Sequence, residues 1–358
     1  MAKNKIEKTA EETEEVVLDD NQLVCLLTGD IKSSKPKEEN LQSVIRMLNE
    51  EYGFDLTDMQ RDFSITGYDA ETGKAKKQKI DLVVFENKKP HEQEFIIRVC
   101  IVYDEKVKET DKKQGLEASL QNALNALDIC EFGLWTNGDQ YHFLHKTEDD
   151  FGNIEYEDLS DFPGEGQILD DLNSSDKSIA RKPANDSLIR VFKRCHDYIY
   201  GNEGMKKTAF WELLNLIFCK IYDEKRRFIC ADTGESYRRE FWVGVKEQNT
   251  PEGREKVAKR IKSIFNKLKS DPLFSEVFDG NEQINLTDKG LAFISGELAK
   301  YSFLEATVDV KGVAYETIVS NTLKQEAGQF FTPRNIVKFM VEIQNTKILL
   351  ACNGVFYK

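Results

Sequence analysis

A chain of 358 residues, 40% hydrophobic and 32% charged, is long enough for two or three domains with ordinary apolar cores. No apolar run reaches the roughly 18 residues of a bilayer-spanning helix, and the opening MAKNKIEKTAEETEEVV lacks the apolar stretch of a secretory signal, so a cytoplasmic chain with no membrane partner is expected. Seven scattered cysteines (Cys25, Cys100, Cys130, Cys195, Cys219, Cys230 and Cys352) without a CxxC pair argue against a disulfide framework or a structural zinc site, and a net charge of −13 does not suggest nucleic acid, though a local basic face could still hold phosphate.

Residues 1–36 are polar and acid-rich and are expected to form a tail. The stretch KEENLQSVIRMLNEEY then carries Leu41, Val44, Ile45 and Leu48 at helical spacing. RDFSITGYD alternates like a strand, and KIDLVVFE and EFIIRVCIVYD are β-rich runs. KKQGLEASLQNALNALD reads as a helix with Leu116, Leu120, Leu124 and Leu127 along one side. EFGLWTNGDQYHFLHK reads as two strands joined by an Asn137–Gly138 turn. An i,i+3 pair on a strand points to opposite faces, so His142 and His145 read as ordinary histidines and not as metal ligands. The order over 37–147 is helix, three strands, helix, two strands.

From Glu148 to Asp176 there are eleven acids and no Lys or Arg, which marks 148–185 as an acidic linker. The pattern then turns helical over 186–322. In TAFWELLNLIFCKIYDEK, Thr208 suits an N-cap, and Phe210, Leu213, Leu214, Ile217 and Ile221 form a stripe. In PEGREKVAKRIKSIFNKLK, Val257, Ile261, Ile264 and Leu268 share one side, and basic residues occupy the rest. That basic side, with Arg254, Lys259 and Arg260, is either solvated surface or a phosphate-contacting face on double-stranded DNA.

Near the C-terminus, DVKGVAYETIVSNTLKQEAGQFFTPRNIVKFMVEI places Thr332 as an N-cap candidate and Pro333 at the first helical position, with Ile336, Met340 and Ile343 on one face. By physics alone this is a loop entering an amphipathic helix. The string GQFFTPR, preceded by YE and NTL and followed by VKFM, resembles the motif that opens the catalytic domain of adenine-specific DNA methyltransferases. It is most similar to the modification subunits of type I restriction systems, whose preceding helical domain MKKTAFWELLNLIFCKIYDEK also resembles. The resemblance implies that Gln329, Phe330, Phe331, Thr332, Pro333 and Arg334 line a pocket for S-adenosylmethionine. An aromatic wall, amides at a helix start and a basic residue suit a methionine tail with its carboxylate.

Transfer to adenine also needs a glycine-rich cofactor loop and an Asn-Pro-Pro-aromatic motif for the flipped base. The seven prolines include no Pro-Pro pair, and Gly354 is the only glycine after Arg334. Residues 323–358 are therefore expected to be the truncated start of a methyltransferase domain, inactive alone. A specificity subunit or a downstream polypeptide completing the domain would be the partner.

The segment 37–147 resembles the N-terminal nuclease domain of type I restriction subunits, through NEEYGFDL, KIDLVVFENKKP, the following β-run, a Gln-containing helix and FGLWTNG. The fold expected is thus an α/β restriction-endonuclease-like domain, then an all-α helical domain, then the methyltransferase stub. Such nucleases need an Asp at one strand end, and an acid and a lysine two residues apart on the next strand, to hold Mg²⁺ and position the attacking water. Asp81 fits the first role, or is simply a strand-end residue. Arg98 and Cys100 take the other two positions as read from the sequence, and neither can do that work. The expected protein is a component or remnant of a restriction–modification system. The alternative is a non-catalytic DNA- or protein-binding module on a decayed nuclease fold.

Overall fold

The computed structural model describes residues 19–68, 74–104, 119–175, 180–183, 187–234, 236–272, 278, 280–306, 312 and 316. The chain divides into two compact units, Met1–Asn49 with Gly53–Asp158, and Glu50–Tyr52 with Leu159–Lys358. No described helix is long and apolar enough to cross a membrane.

The first unit begins with a small antiparallel hairpin, β1 (Gln22–Val24) and β2 (Ile31–Ser33). This corrects the reading of a polar tail over 19–36, and residues 1–18 lie outside the described residues. Three-residue strands with mostly exposed side chains are too short to leave an alternating pattern. Helix α1 (Pro36–Glu50) follows, with Pro36 at its start, Glu38 and Glu39 in its first turn, and Leu41, Val44, Ile45 and Leu48 buried.

Strands β3 (Met59–Tyr68), β4 (Ala75–Phe85), β5 (Ile96–Val102), β6 (Phe132–Thr136), β7 (Tyr141–Glu148) and β8 (Ile154–Leu159) form one sheet in sequential order. β5 and β6 run parallel, which requires a crossover. The crossover carries helix α2 (Asn122–Asn125), and Leu120, Ala123, Leu124 and Leu127 pack with Val83, Val99, Ile101, Trp135 and Leu144 in the core. Leu116 lies outside the described residues.

The β6–β7 connection turns at Asn137–Gly138 as the sequence predicts, with Gly138 at φ 92° and the Asn137 side chain accepting from the Asp139 and Gln140 amides. A side chain at 138 would also collide with Asn40, whose amide donates to the Tyr103 and Asn137 carbonyls at 2.9 and 3.0 Å. His142 and His145 do point to opposite faces. His142 bonds Asp158 and meets Trp135 edge-on, while His145 stacks on Phe132.

The described residues at the start of the acidic stretch, 148–159, are structured. Its first part is a turn built on Asp149, which accepts from the Phe151 and Asn153 amides, and then the edge strand β8. Charged residues on a sheet edge discourage further strand pairing, so acid density here marks an edge and not a disordered tether.

In the second unit, helix α3 (Leu169–Leu172) precedes α4 (Ser187–Gly201), α5 (Ala209–Thr233), α6 (Pro251–Ser270) and α7 (Asp288–Ala299). Val257, Ile261, Ile264 and Leu268 of α6 are buried together with Leu213, Ile217 and Ile221 of α5. Thr250 and Thr287 cap α6 and α7 by accepting from the Gly253 and Gly290 amides. Thr208 holds the N-cap position of α5 but its side chain makes no capping bond.

Two buried ionic groups stand out in this unit. Arg181 contacts Asp161 at 2.5 Å and lies over the rings of Tyr52 and Tyr301, at 4.1 and 5.9 Å from their centroids. The Tyr52 hydroxyl also donates to Asp161, and that of Tyr301 to Glu51 at 2.9 Å. Asp161 and Arg181 thus belong to a packed structure inside the segment 148–185.

The second group is Lys220, fully buried, 2.9 Å from Glu224. Burial above all, with the charge of Arg239, pushes its ammonium down to about 8 against the pull of Glu224. A lysine in the unfolded chain keeps its proton to near 10.4. Between these limits the unfolded state binds more protons, so stability should rise with pH. Denaturant unfolding should show Lys220 adding about 2–3 kcal/mol between pH 8 and 10. Lys220→Met should flatten that part of the profile, and an unchanged slope would refute the assignment.

Candidate functional site

β4 pairs with β3 along nearly its whole length, from Met59 opposite Val84 to Tyr68 opposite Ala75. Its pairing with β5 is shorter, from Phe85 opposite Ile96 to Leu82 opposite Cys100. Residues 75–81 of β4 therefore extend past the β5 ladder. Beside them lies a cavity of about 720 Å³.

Asp81 stands where that ladder ends. One carboxylate oxygen accepts the Val102 amide at 2.8 Å. The other is 2.7 Å from the Lys37 ammonium, brought there by the first turn of α1. Lys37, Lys76, Lys77 and Lys79 all line the cavity, and Asp81 is the one acid among the described residues that line it. Lys79 is also paired with Asp62 at 2.7 Å.

The structure corrects the expected positions on β5. Arg98 lies opposite Val84, with its guanidinium against the Phe132 and Phe54 rings and bonded to the Ile97 carbonyl. Cys100 lies opposite Leu82, and burial pushes its thiol up. Neither lines the cavity. Ile101 and Tyr103 do, two residues apart. They hold the places beside Asp81 where a metal-dependent nuclease needs an acid and a lysine. A slip of one residue exchanges the faces of a strand, and a β-run that is apolar on both sides offers no alternation to prevent it.

These residues do not fit Mg²⁺. Asp81 offers a single carboxylate already bound to an ammonium and an amide, while Ile101 brings no oxygen and Tyr103 no charge to replace the second acid. Among the described residues no group of three His, Cys, Asp or Glu side chains could hold a metal ion.

On α6, the three residues considered for DNA all have partners within their own unit. Arg254 donates to the Gln248 carbonyl at 2.6 Å, and Lys259 pairs with Glu255 at 2.6 Å. Arg260 pairs with Glu247 at 2.7 Å and stacks on Trp242. The pocket residues Gln329, Phe330, Phe331, Thr332, Pro333 and Arg334 lie outside the described residues.

Sequence reasoning missed the lysines around Asp81. Their signal was the lysine-rich run KAKKQK at 74–79, most of which belongs to β4.

Family models match two segments of the chain. Residues 36–163 match the family model of the type I restriction enzyme R protein N terminus. Residues 306–350 match that of N-6 DNA methylase. Neither the curated proteins nor the solved structures yield a match. The two family matches support a restriction–modification protein, with an N-terminal α/β sheet domain followed by helices.

Proposed function

We propose that this chain is a component of a DNA restriction–modification system in which the restriction-endonuclease-like sheet unit engages double-stranded DNA without cutting it. One observation carries this reading. Asp81, the one acid among the described residues of the cavity, is paired with Lys37 at 2.7 Å, and Ile101 and Tyr103 stand where the remaining nuclease groups would be needed.

The match at 306–350 supports a place in adenine methylation. S-adenosylmethionine would be the methyl donor, with residues 329–334 lining its pocket. A specificity subunit or a second polypeptide of the methyltransferase would be the protein partner, and the assembly would act in the cytoplasm.

Supercoiled plasmid incubated with the chain and Mg²⁺ should remain intact at any protein concentration that binds it. Mg²⁺-dependent nicking that disappears on Asp81→Ala would overturn this reading and show the site to be a working nuclease.

A further inference from the structure

Resting on that reading of the sheet unit, we propose that the cavity beside Asp81 is a metal-independent site for the phosphate backbone of duplex DNA, with the Lys37 ammonium standing on Asp81 in place of a divalent cation. Three features of the site support it.

The first is charge. The chain carries a net −13, yet the described residues lining the cavity include four lysines against one aspartate, an excess of three positive charges among them. Allowing for the Lys79–Asp62 pair, an excess of two remains among the described residues. A basic concavity on an acidic chain focuses the field on one place and draws a polyanion there.

The second is the state of Asp81. A bare carboxylate in the cavity would repel phosphate. The ammonium at 2.7 Å cancels that repulsion, and it keeps further N–H donors that can face an anion. Lys37 thus does for phosphate binding what a divalent cation does in a cutting site, without activating water.

The third is the spacing. Lys76, Lys77, Lys79 and Asp81 with its Lys37 follow one another along β4. From 76 to 81 the strand advances roughly 17 Å at about 3.3 Å per residue. Cations strung over such a length suit successive phosphates of a strand better than one free anion, which needs donors converging on a point. Tyr68, exposed at the end of β3, also lines this cavity.

The test uses the full chain, a labelled duplex of about 20 base pairs and a chelator of divalent ions throughout. Binding should persist in the chelator and weaken with salt, at a log–log slope of about −0.9 per phosphate contact. Lys76→Gln with Lys77→Gln should lower affinity by about tenfold and reduce the slope by roughly 1.8. Both lysines are exposed, so the double variant should fold like the parent. Asp81→Asn removes the carboxylate charge that Lys37 pairs with, and should bind at least as tightly as the parent. Inorganic phosphate at millimolar concentration should compete poorly.

Absence of binding in the chelator would overturn the proposal, as would affinity indifferent to Lys76 and Lys77 or weakened binding by Asp81→Asn. Equal sensitivity to inorganic phosphate would make this a free-anion site and also overturn it. Failure of the non-cutting reading is distinguishable, because it appears as nicking once Mg²⁺ is supplied.

Discussion

The triple change Lys37→Ala, Ile101→Glu and Tyr103→Lys should turn the sheet unit into a Mg²⁺-dependent nuclease, taking plasmid nicking from background to measurable turnover. Lys37→Ala releases the Asp81 oxygen that the ammonium holds at 2.7 Å. Ile101→Glu brings a second carboxylate to the cavity that Asp81 lines, and two acids with waters can complete an octahedral Mg²⁺ site. Tyr103→Lys restores a cation for the attacking water. Ile101 is buried in the core, so an unpaired glutamate there should cost about 2–4 kcal/mol without metal. Mg²⁺ at a hundred times its Kd should return about 2.7 kcal/mol, seen as a rise in Tm. Nicking should vanish when Asp81→Ala is added. A variant that folds yet shows neither the Mg²⁺-dependent rise in Tm nor cutting would mean that Ile101 and Tyr103 are not the missing positions.

The second large effect should come from Arg181→Ala. The substitution leaves the Asp161 carboxylate buried without its cation, which typically costs about 3–5 kcal/mol. For a unit of this size that amounts to a fall in Tm of roughly 10 °C. Arg181→Met combined with Asp161→Asn should recover most of the loss, because no uncompensated charge remains in the interior. Thermal and denaturant unfolding of the two variants separate the outcomes. Equal damage in both would show that packing of the guanidinium between Tyr52 and Tyr301 matters more than its charge.

What could be read from the residues depended on burial contrast. α1, β3 and α6 each bury one side, so their periods were visible, as was the Asn137–Gly138 turn. β5 has six of its seven residues buried, so its existence was legible but its register was not, and Arg98 and Cys100 were placed beside Asp81 in error. β8 was hidden by its charge: Glu155, Glu157 and Asp158 made an edge strand look like a tether. The Lys37–Asp81 contact joins two elements 44 positions apart and has no local signature at all. Arg254, Lys259 and Arg260 looked like a cationic stripe because Glu247, the partner of Arg260, lies outside their helix.

One feature of the chain's path constrains how such a protein could arise or be rebuilt. Glu50–Tyr52 belong to the helical unit, although they lie between two segments of the sheet unit. Tyr52 shares Asp161 and Arg181, while Glu51 accepts from Tyr301. The helical unit is therefore encoded in two pieces, one of them only three codons long. A single crossover between genes near residue 159 would deliver a helical half without its Glu51 and Tyr52. Exchange of these halves between relatives would be tolerated only where the donor of the first half carries equivalent side chains at the end of its first long helix.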